Sequence, residues 1–169
     1  MKVACGLSHK SIANAISQLE EYKVTLAEKC KEFTQNLIDR GINVAMFTLR
    51  RGYGDAPRDA DFGVKIDESG NLVTGLMSIK GEGILFWEFG AGNYYNGMTS
   101  LHPKAGQLGM GPGTYPGQTH VPNPGVWVYV DDSGNKHFSR GTQATMPMFK
   151  ASIEMAESVW DVAREVFGV

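Results

Sequence analysis

The sequence predicts an α+β domain in which an antiparallel β-sheet packs with a long N-terminal helix and a C-terminal helix. Apolar residues recur at helical spacing near both ends of the chain, and short β-rich runs separated by turn residues lie between them. A Gly/Pro-rich stretch interrupts those runs. With 169 residues, 42% hydrophobic and 20% charged, the chain has the size and composition of one globular domain spanning residues 1–169.

The first predicted element is a long amphipathic helix from about Ser8 to Arg40. Ser8 or Ser11 can cap its first turn, and Gly41 stands where a left-handed C-cap residue belongs. The mixed apolar pattern of Ile42–Arg51 then predicts a strand. The apolar residues that share one face of the helix are Ile12, Ile16, Leu19, Tyr22, Leu26, Cys30, Phe33 and Leu37.

The middle of the chain predicts antiparallel strand pairing. A short strand over Asp61–Asp67 is followed by a turn at Glu68–Asn71. Two further β-rich runs, Leu72–Lys80 and Ile84–Phe89, are joined by the short glycine turn Gly81–Gly83, which favours a hairpin between them.

The last third of the chain predicts another hairpin and a closing helix. The runs Val126–Val130 and Lys136–Phe138 flank a polar turn, which is typical of two paired strands. A helix over Met148–Phe167 follows, with Pro147 suited to its first turn and Gly168 to its end. The apolar face of this helix is predicted to consist of Phe149, Ile153, Ala156, Trp160, Ala163 and Phe167.

Residues 90–125 form an extended Gly/Pro-rich loop insertion. The segment holds nine glycines and five prolines, no Asp or Glu, and Lys104 as its one Lys or Arg. Loops of this length in a compact domain are usually functional or disordered. Because the loop also carries large apolar side chains, we expect it to be mobile in the free subunit and to order against a neighbouring surface. The alternative is a loop folded back onto its own sheet.

Composition and motifs argue against several classes of function. A net charge of −2 leaves no bulk basic character for sequence-specific nucleic-acid binding, and the N-terminus reads neither as a signal peptide nor as a membrane span. Cys5 and Cys30 lack metal or redox spacing and are expected to be free thiols. The glycine cluster after Ala105 is not followed by the Gly-Lys-Ser/Thr of a phosphate loop. No cofactor is predicted.

One set of side chains supports a different reading. Glu88, His102 and His120 can converge on a metal, or serve a small hydrolase or a carbohydrate-binding module. Their spacings match no established ligand pattern, and a solvated or hydrogen-bonded histidine is the more ordinary interpretation.

The order of several motifs carries a family resemblance. A strand end reading Trp87–Gly92 precedes the loop, Trp127-Val128-Tyr129 begins the next hairpin, and the turn Arg140–Phe149 opens the last helix. This order resembles the neck or tail-completion proteins of long-tailed bacteriophages, a family of minor tail components and head-tail connectors. The second motif departs from the family pattern by one extra residue before Pro147, with Met148 and Phe149 in exchanged order.

The resemblance implies a structural virion protein without enzyme activity, made in the host cytoplasm and incorporated into the virion. It implies a homo-oligomeric ring with six-fold symmetry that matches the tail. The subunit can be monomeric until it meets its partners. Those partners are adjacent neck layers, such as head-closure or tail-terminator proteins. On this reading the assembly interface is expected to include Trp87, Glu88, Phe89, Gly90, Tyr94, Tyr95, Met110, Tyr115, Arg140, Pro147 and Phe149.

Overall fold

The computed structural model describes residues 2–50, 60–81, 83–92, 102–110, 127–130, 133–139 and 141–168. It confirms the predicted α+β class, with a long N-terminal helix, antiparallel strands and C-terminal helices. In chain order the elements are α1 (His9–Arg50), β1 (Asp61–Ser69), β2 (Leu72–Lys80), α2 (Ile84–Phe89), β3 (Ala91–Gly92), β4 (Trp127–Val130), β5 (Lys136–Ser139), β6 (Gly141–Thr142), α3 (Pro147–Glu157) and α4 (Val159–Phe167).

Helix α1 runs past the end that the sequence predicts. The expected C-cap at Gly41 and the expected strand over residues 42–51 are both wrong, because the helix continues to Arg50. A Cβ at Gly41 would lie 2.9 Å from Cγ and Sδ of Met155, so this glycine allows close helix packing and does not end the helix. The buried residues of this half recur at helical spacing: Ile38, Gly41, Ala45, Thr48 and Leu49.

The first hairpin forms between β1 and β2. Their register pairs Ser69 with Leu72 across a two-residue turn, in which Gly70 has φ of 62°. The hairpin predicted between Leu72–Lys80 and Ile84–Phe89 is therefore wrong, since the second run is helix α2. Gly83, with φ of 71°, occupies the N-cap position of that helix.

The described strands form three separate two-stranded antiparallel ladders, β1–β2, β3–β6 and β4–β5. The predicted hairpin in the last third of the chain is confirmed, because β4 and β5 pair from Trp127–Ser139 to Val130–Lys136. The ladder β3–β6 joins two distant parts of the chain, with Ala91 opposite Thr142 and Gly92 opposite Gly141. It places the end of α2 beside the segment that leads into α3.

The C-terminal helix is nearly continuous, with one turn residue, Ser158, between α3 and α4. Pro147 occupies its first turn and Gly168 caps its end with φ of 70°, as predicted. The predicted apolar face is correct only in part. Phe149 and Phe167 pack inside the subunit, but Ile153 and Trp160 are exposed. The buried side is formed by Ala151, Ser158, Val162 and Val166. Both sides of this helix carry apolar residues, so periodicity alone could not select the one that contacts α1.

The two C-terminal helices run antiparallel to the second half of α1. Met155 lies against Gly41, and further along the chain the ring of Phe167 lies 5.8 Å from that of Phe33. Lys29 Nζ donates to the carbonyl of Val166 at 2.8 Å. The β1–β2 hairpin covers another side of the same half of α1, with Gly75 against Thr34 and Ile38. None of the described helices is long and apolar enough to cross a membrane.

Candidate functional site

The short helix α2 carries a run of buried side chains. Trp87, Glu88 and Phe89 are all less than a tenth exposed. The helix lies between two glycines with positive φ, Gly83 at 71° and Gly90 at 81°. Because such φ values favour glycine, these two residues allow the chain to enter and leave a six-residue helix sharply. A buried acid in this setting requires hydrogen-bond partners.

The Glu88 carboxylate accepts three hydrogen bonds. Its Oε2 atom accepts from the backbone N–H of Met148 at 2.8 Å, and its Oε1 atom accepts from that of Phe149 at 2.9 Å. His102 Nε2 is 2.9 Å from the same Oε1 atom. Hydrogen bonds to an ionised carboxylate are about twice as strong as neutral ones, so this group is a strong link between three parts of the chain.

Glu88 acts as the N-terminal cap of α3. The residue at the N-cap position, Met146, has φ of 59° and makes no side-chain capping bond. The first N–H groups of a helix have no partner within it, and a negative charge there also interacts favourably with the helix dipole. The carboxylate supplied by α2 therefore replaces the usual Ser, Thr, Asp or Asn cap.

His102 has both ring nitrogens in hydrogen bonds. The backbone N–H of Lys104 donates to Nδ1 at 3.1 Å, so that nitrogen carries no proton in this arrangement. The proton is then on Nε2, which donates to Glu88. The ring is 5% exposed. The ordinary interpretation of this histidine, as a hydrogen-bonded residue, is confirmed.

Aromatic packing holds the His102 ring in place. Its centroid lies 4.5 Å from the ring of Phe89 and 5.1 Å from the ring of Phe149, the latter in an edge-on arrangement. Ala105 and Met110 are buried with Phe89 in a small apolar cluster. Residues 102–110 of the long loop are thus folded back onto their own domain, which is the alternative arrangement for this part of the loop. Residues 93–101 and 111–126 lie outside the described residues.

A backbone link reinforces the junction between α2 and α3. The carbonyl of Trp87 accepts from the backbone N–H of Thr145 at 2.8 Å and from that of Met146 at 3.2 Å. The Thr145 hydroxyl donates to the same carbonyl at 3.3 Å. Together with the β3–β6 ladder, these bonds fix the segment before α3 against α2. We call this arrangement the Glu88 junction: Trp87, Glu88, His102, Thr145 and Phe149.

The Glu88 junction is built for structure and is poorly suited to acid-base chemistry. Both carboxylate oxygens and both imidazole nitrogens have partners within the chain, and both side chains are buried. A general base needs a free position facing a substrate proton. Within the described ranges, no cluster of three His, Cys, Asp or Glu side chains has the arrangement to hold a metal.

The structure brings several predicted interface residues together inside the subunit. Trp87, Glu88, Phe89, Met110 and Pro147 are buried by their own chain, and Phe149 is half-buried. Gly90 ends α2. Their assignment to an assembly interface stays a prediction. The other predicted interface residues, Tyr94, Tyr95, Tyr115 and Arg140, lie outside the described residues, and so does His120 of the alternative reading.

No local signal in the sequence indicates how these groups meet. Spacing predicts no hydrogen bond between Glu88 and the first turn of α3, and it does not single out Thr145 or the backbone of Lys104. The one available signal was the matched pair of motifs at Trp87–Gly92 and Arg140–Phe149, whose backbone segments the structure joins.

An open groove of about 490 Å³ lies elsewhere, between residues 20–30 of α1 and the tip of the β1–β2 hairpin. Val24, Ala27 and Val73 are among its lining residues. Nearby, Lys31 forms an ion pair with Glu68 that links α1 to the hairpin. The hydrogen bond to Glu68 is the main reason that the pKa of Lys31 is raised, and attraction to the negative charge of Glu68 is the second reason. This groove is separate from the Glu88 junction.

Comparison of this chain with protein-family models, curated proteins and solved structures found no match.

Proposed function

We propose that this chain is a structural subunit of a tailed bacteriophage particle, forming a ring at the neck that joins the head to the tail tube. The family resemblance of its motifs suggests this role. The observation that supports it most is the Glu88 junction. There the two best catalytic candidates, Glu88 and His102, hydrogen-bond to each other and to the start of α3 and so stabilise the fold.

The argument from the junction concerns what its side chains are free to do. A hydrolase or sugar-binding site needs polar groups that face an open pocket. Glu88 and His102 instead face each other, the N-terminus of α3 and two phenylalanine rings. This pattern is typical of side chains that stabilise a fold, and it supports a structural role for the protein.

The surface of the described residues supports a role in assembly. Many large apolar side chains are more than a third exposed, and Ile12, Ile16 and Leu19 form a row of them on one face of α1. Single exposed apolar residues are normal, but rows of them on one helix are typical of contact surfaces. A ring subunit needs such surfaces for its neighbours and for the layers above and below.

A stop codon in the gene, carried by the parent phage, tests the proposed role. We expect a non-permissive host to accumulate DNA-filled heads and separate tails, and wild-type protein supplied from a plasmid to restore infectious particles. Supplying the control variant Asp67→Asn should restore them equally well, because this side chain is exposed on β1. Complete infectious particles without the protein would overturn the proposal.

The rival, a small hydrolase or carbohydrate-binding module, is tested on the purified chain. Ester, phosphoester and glycoside substrates are incubated with the wild type and with Glu88→Gln at a temperature where circular dichroism shows both to be folded. We expect no turnover from either protein. A rate that the wild type has and the folded variant lacks would favour the rival.

A further inference from the structure

His102 begins a short folded segment inside the long Gly/Pro-rich insertion. Residues 102–110, which we call the His102 segment, are held by backbone hydrogen bonds. The N–H of Ala105 donates to the carbonyl of His102 at 3.0 Å, and the N–H of Met110 donates to that of Ala105 at 2.9 Å. Ala105 and Met110 are buried with Phe89 of α2. This segment therefore attaches the insertion to the domain.

The hydrogen bonds of His102 select the protonation state of its ring. The backbone N–H of Lys104 can only donate, so Nδ1, at 3.1 Å, must accept. The one proton of a neutral ring then lies on Nε2, where it is shared with Glu88. A doubly protonated ring has an N–H group on both nitrogens, and its Nδ1–H would point at the N–H of Lys104. The folded segment accommodates the neutral ring and disfavours the charged one.

Protonation of the ring affects its two hydrogen-bond partners in opposite ways. The bond to Glu88 becomes stronger, because donor and acceptor are then both charged. The bond from Lys104 is lost, and the following turn is disturbed because the N–H of Leu108 donates to the carbonyl of Lys104. The backbone N–H groups of Met148 and Phe149 do not titrate, so they stay bound to Glu88. The disturbance is therefore confined to the segment.

The elements packed against the ring contribute few charges near it. Glu88 is the one charged residue of α2 and contacts the ring directly. Lys104 on the segment and Lys150 in the first turn of α3 are exposed, so water and salt screen their charges. Strands β3 and β6 have no charged residue. The positive end of the α3 dipole partly offsets the attraction of Glu88 for a charged ring.

We propose that the His102 segment is a pH-dependent attachment, which is closed while His102 is neutral and is released when the ring gains a second proton. Histidine is the side chain that ordinarily changes charge between about pH 5 and about pH 8. Acidification within this interval should free residues 104–110 from the domain while Glu88 still caps α3. The device is a property of the purified chain and does not depend on a ring at the phage neck.

Amide hydrogen exchange of the full chain, followed by NMR at about pH 7.5 and about pH 5, tests this proposal. The rates are corrected for the intrinsic pH dependence of exchange. In the wild type, protection of the Lys104 and Met110 amides should fall about fivefold or more at the lower pH, as for the loss of one hydrogen bond. The amides of Met148 and Phe149 should keep their protection. The ring nitrogen signals of His102 should change over the same pH interval as the segment.

Two variants separate His102 from other titrating groups. The side chain of His102→Gln has an amide that can donate to Glu88 but does not titrate. Protection of its segment should therefore be the same at both pH values, whatever its level. The matched control is His9→Gln, at an exposed position where α1 begins, and it should respond like the wild type. Circular dichroism at both pH values shows whether each variant is folded.

Three results would overturn the proposal. The first is a wild type whose segment is equally protected at the two pH values, or loses protection at a different pH from that at which the His102 ring titrates. The second is a fall in protection that persists in folded His102→Gln, because another group would then cause it. The third is a loss of protection throughout α3 together with the segment, which would indicate global unfolding. None of them changes the stop-codon result, so failure here is distinguishable from failure of the proposed function.

Discussion

Removal of the Glu88 side chain is predicted to destabilise the whole subunit. In Glu88→Ala, three donors lose their acceptor: the buried Nε2–H of His102 and the partly buried backbone N–H groups of Met148 and Phe149. A buried donor left without a partner costs about 1–3 kcal/mol. The three costs do not add fully, because water can enter the space that the side chain leaves. We therefore expect a loss of about 3–5 kcal/mol, near the lower end of the summed costs.

This loss is large for a domain of 169 residues. Total stabilities are about 5–15 kcal/mol, and each kcal/mol shifts Tm by about 2–4 °C at this size. We therefore expect Tm to fall by about 10 °C in thermal unfolding followed by circular dichroism. Glu88→Gln should lose less, because its amide oxygen still accepts. The exposed-acid control Asp67→Asn should unfold within about 1 kcal/mol of the wild type. A similarly small change in Glu88→Ala would refute the assignment of Glu88 as the cap of α3.

Three further predictions follow from the packing around α1 and the Glu88 junction. His102→Phe should lose less stability in urea unfolding than His102→Ala, because it keeps the aromatic packing; equal losses would show that the packing contributes little. Gly41→Ala should change stability by less than about 1 kcal/mol, because better helix propensity offsets the shift of the flexible Met155 side chain, whereas Gly41→Leu should cost about 3 kcal/mol. Since Glu68 raises the pKa of Lys31 above its ordinary value of 10.5, the ion pair is fully present below that pH, and its stabilisation is lost as pH rises through the raised pKa. The stability difference between wild type and Lys31→Met should therefore shrink at strongly alkaline pH; a difference that persists there would contradict this role of the pair.

Sequence periodicity was reliable where one helix face meets one partner. It placed α1 over most of its length and both ends of the C-terminal helical segment correctly. It failed at Gly41, because a glycine that ends a helix and a glycine that admits a neighbouring side chain look alike in sequence. The context that decides between them is Met155, more than a hundred residues away.

The assignment of Ile84–Phe89 to a strand failed for a related reason. The run is short and continuously apolar, and periodicity cannot distinguish a buried strand from a buried helical turn of that length. Tertiary contacts decide in favour of the helix, because Glu88 must reach the N-terminus of α3 while the Trp87 carbonyl binds Thr145. Neither contact is encoded by local spacing.

The Glu88 junction shows why a list of polar residues is a weak guide to chemistry. Glu88 and His102 were considered together because both are able to act as acid or base. The structure does bring them together, at 2.9 Å, but it also supplies partners for every remaining polar atom of the two side chains. The partners and the burial of these side chains depend on the fold, so spacing in the sequence cannot supply them.

Reconstruction of the intact phage particle by electron microscopy tests the central claim most directly. If the chain is a neck subunit, density between the head and the tail tube will accommodate copies of it as a closed ring. A particle in which this chain is absent from the neck, or occupies another position, would contradict the account.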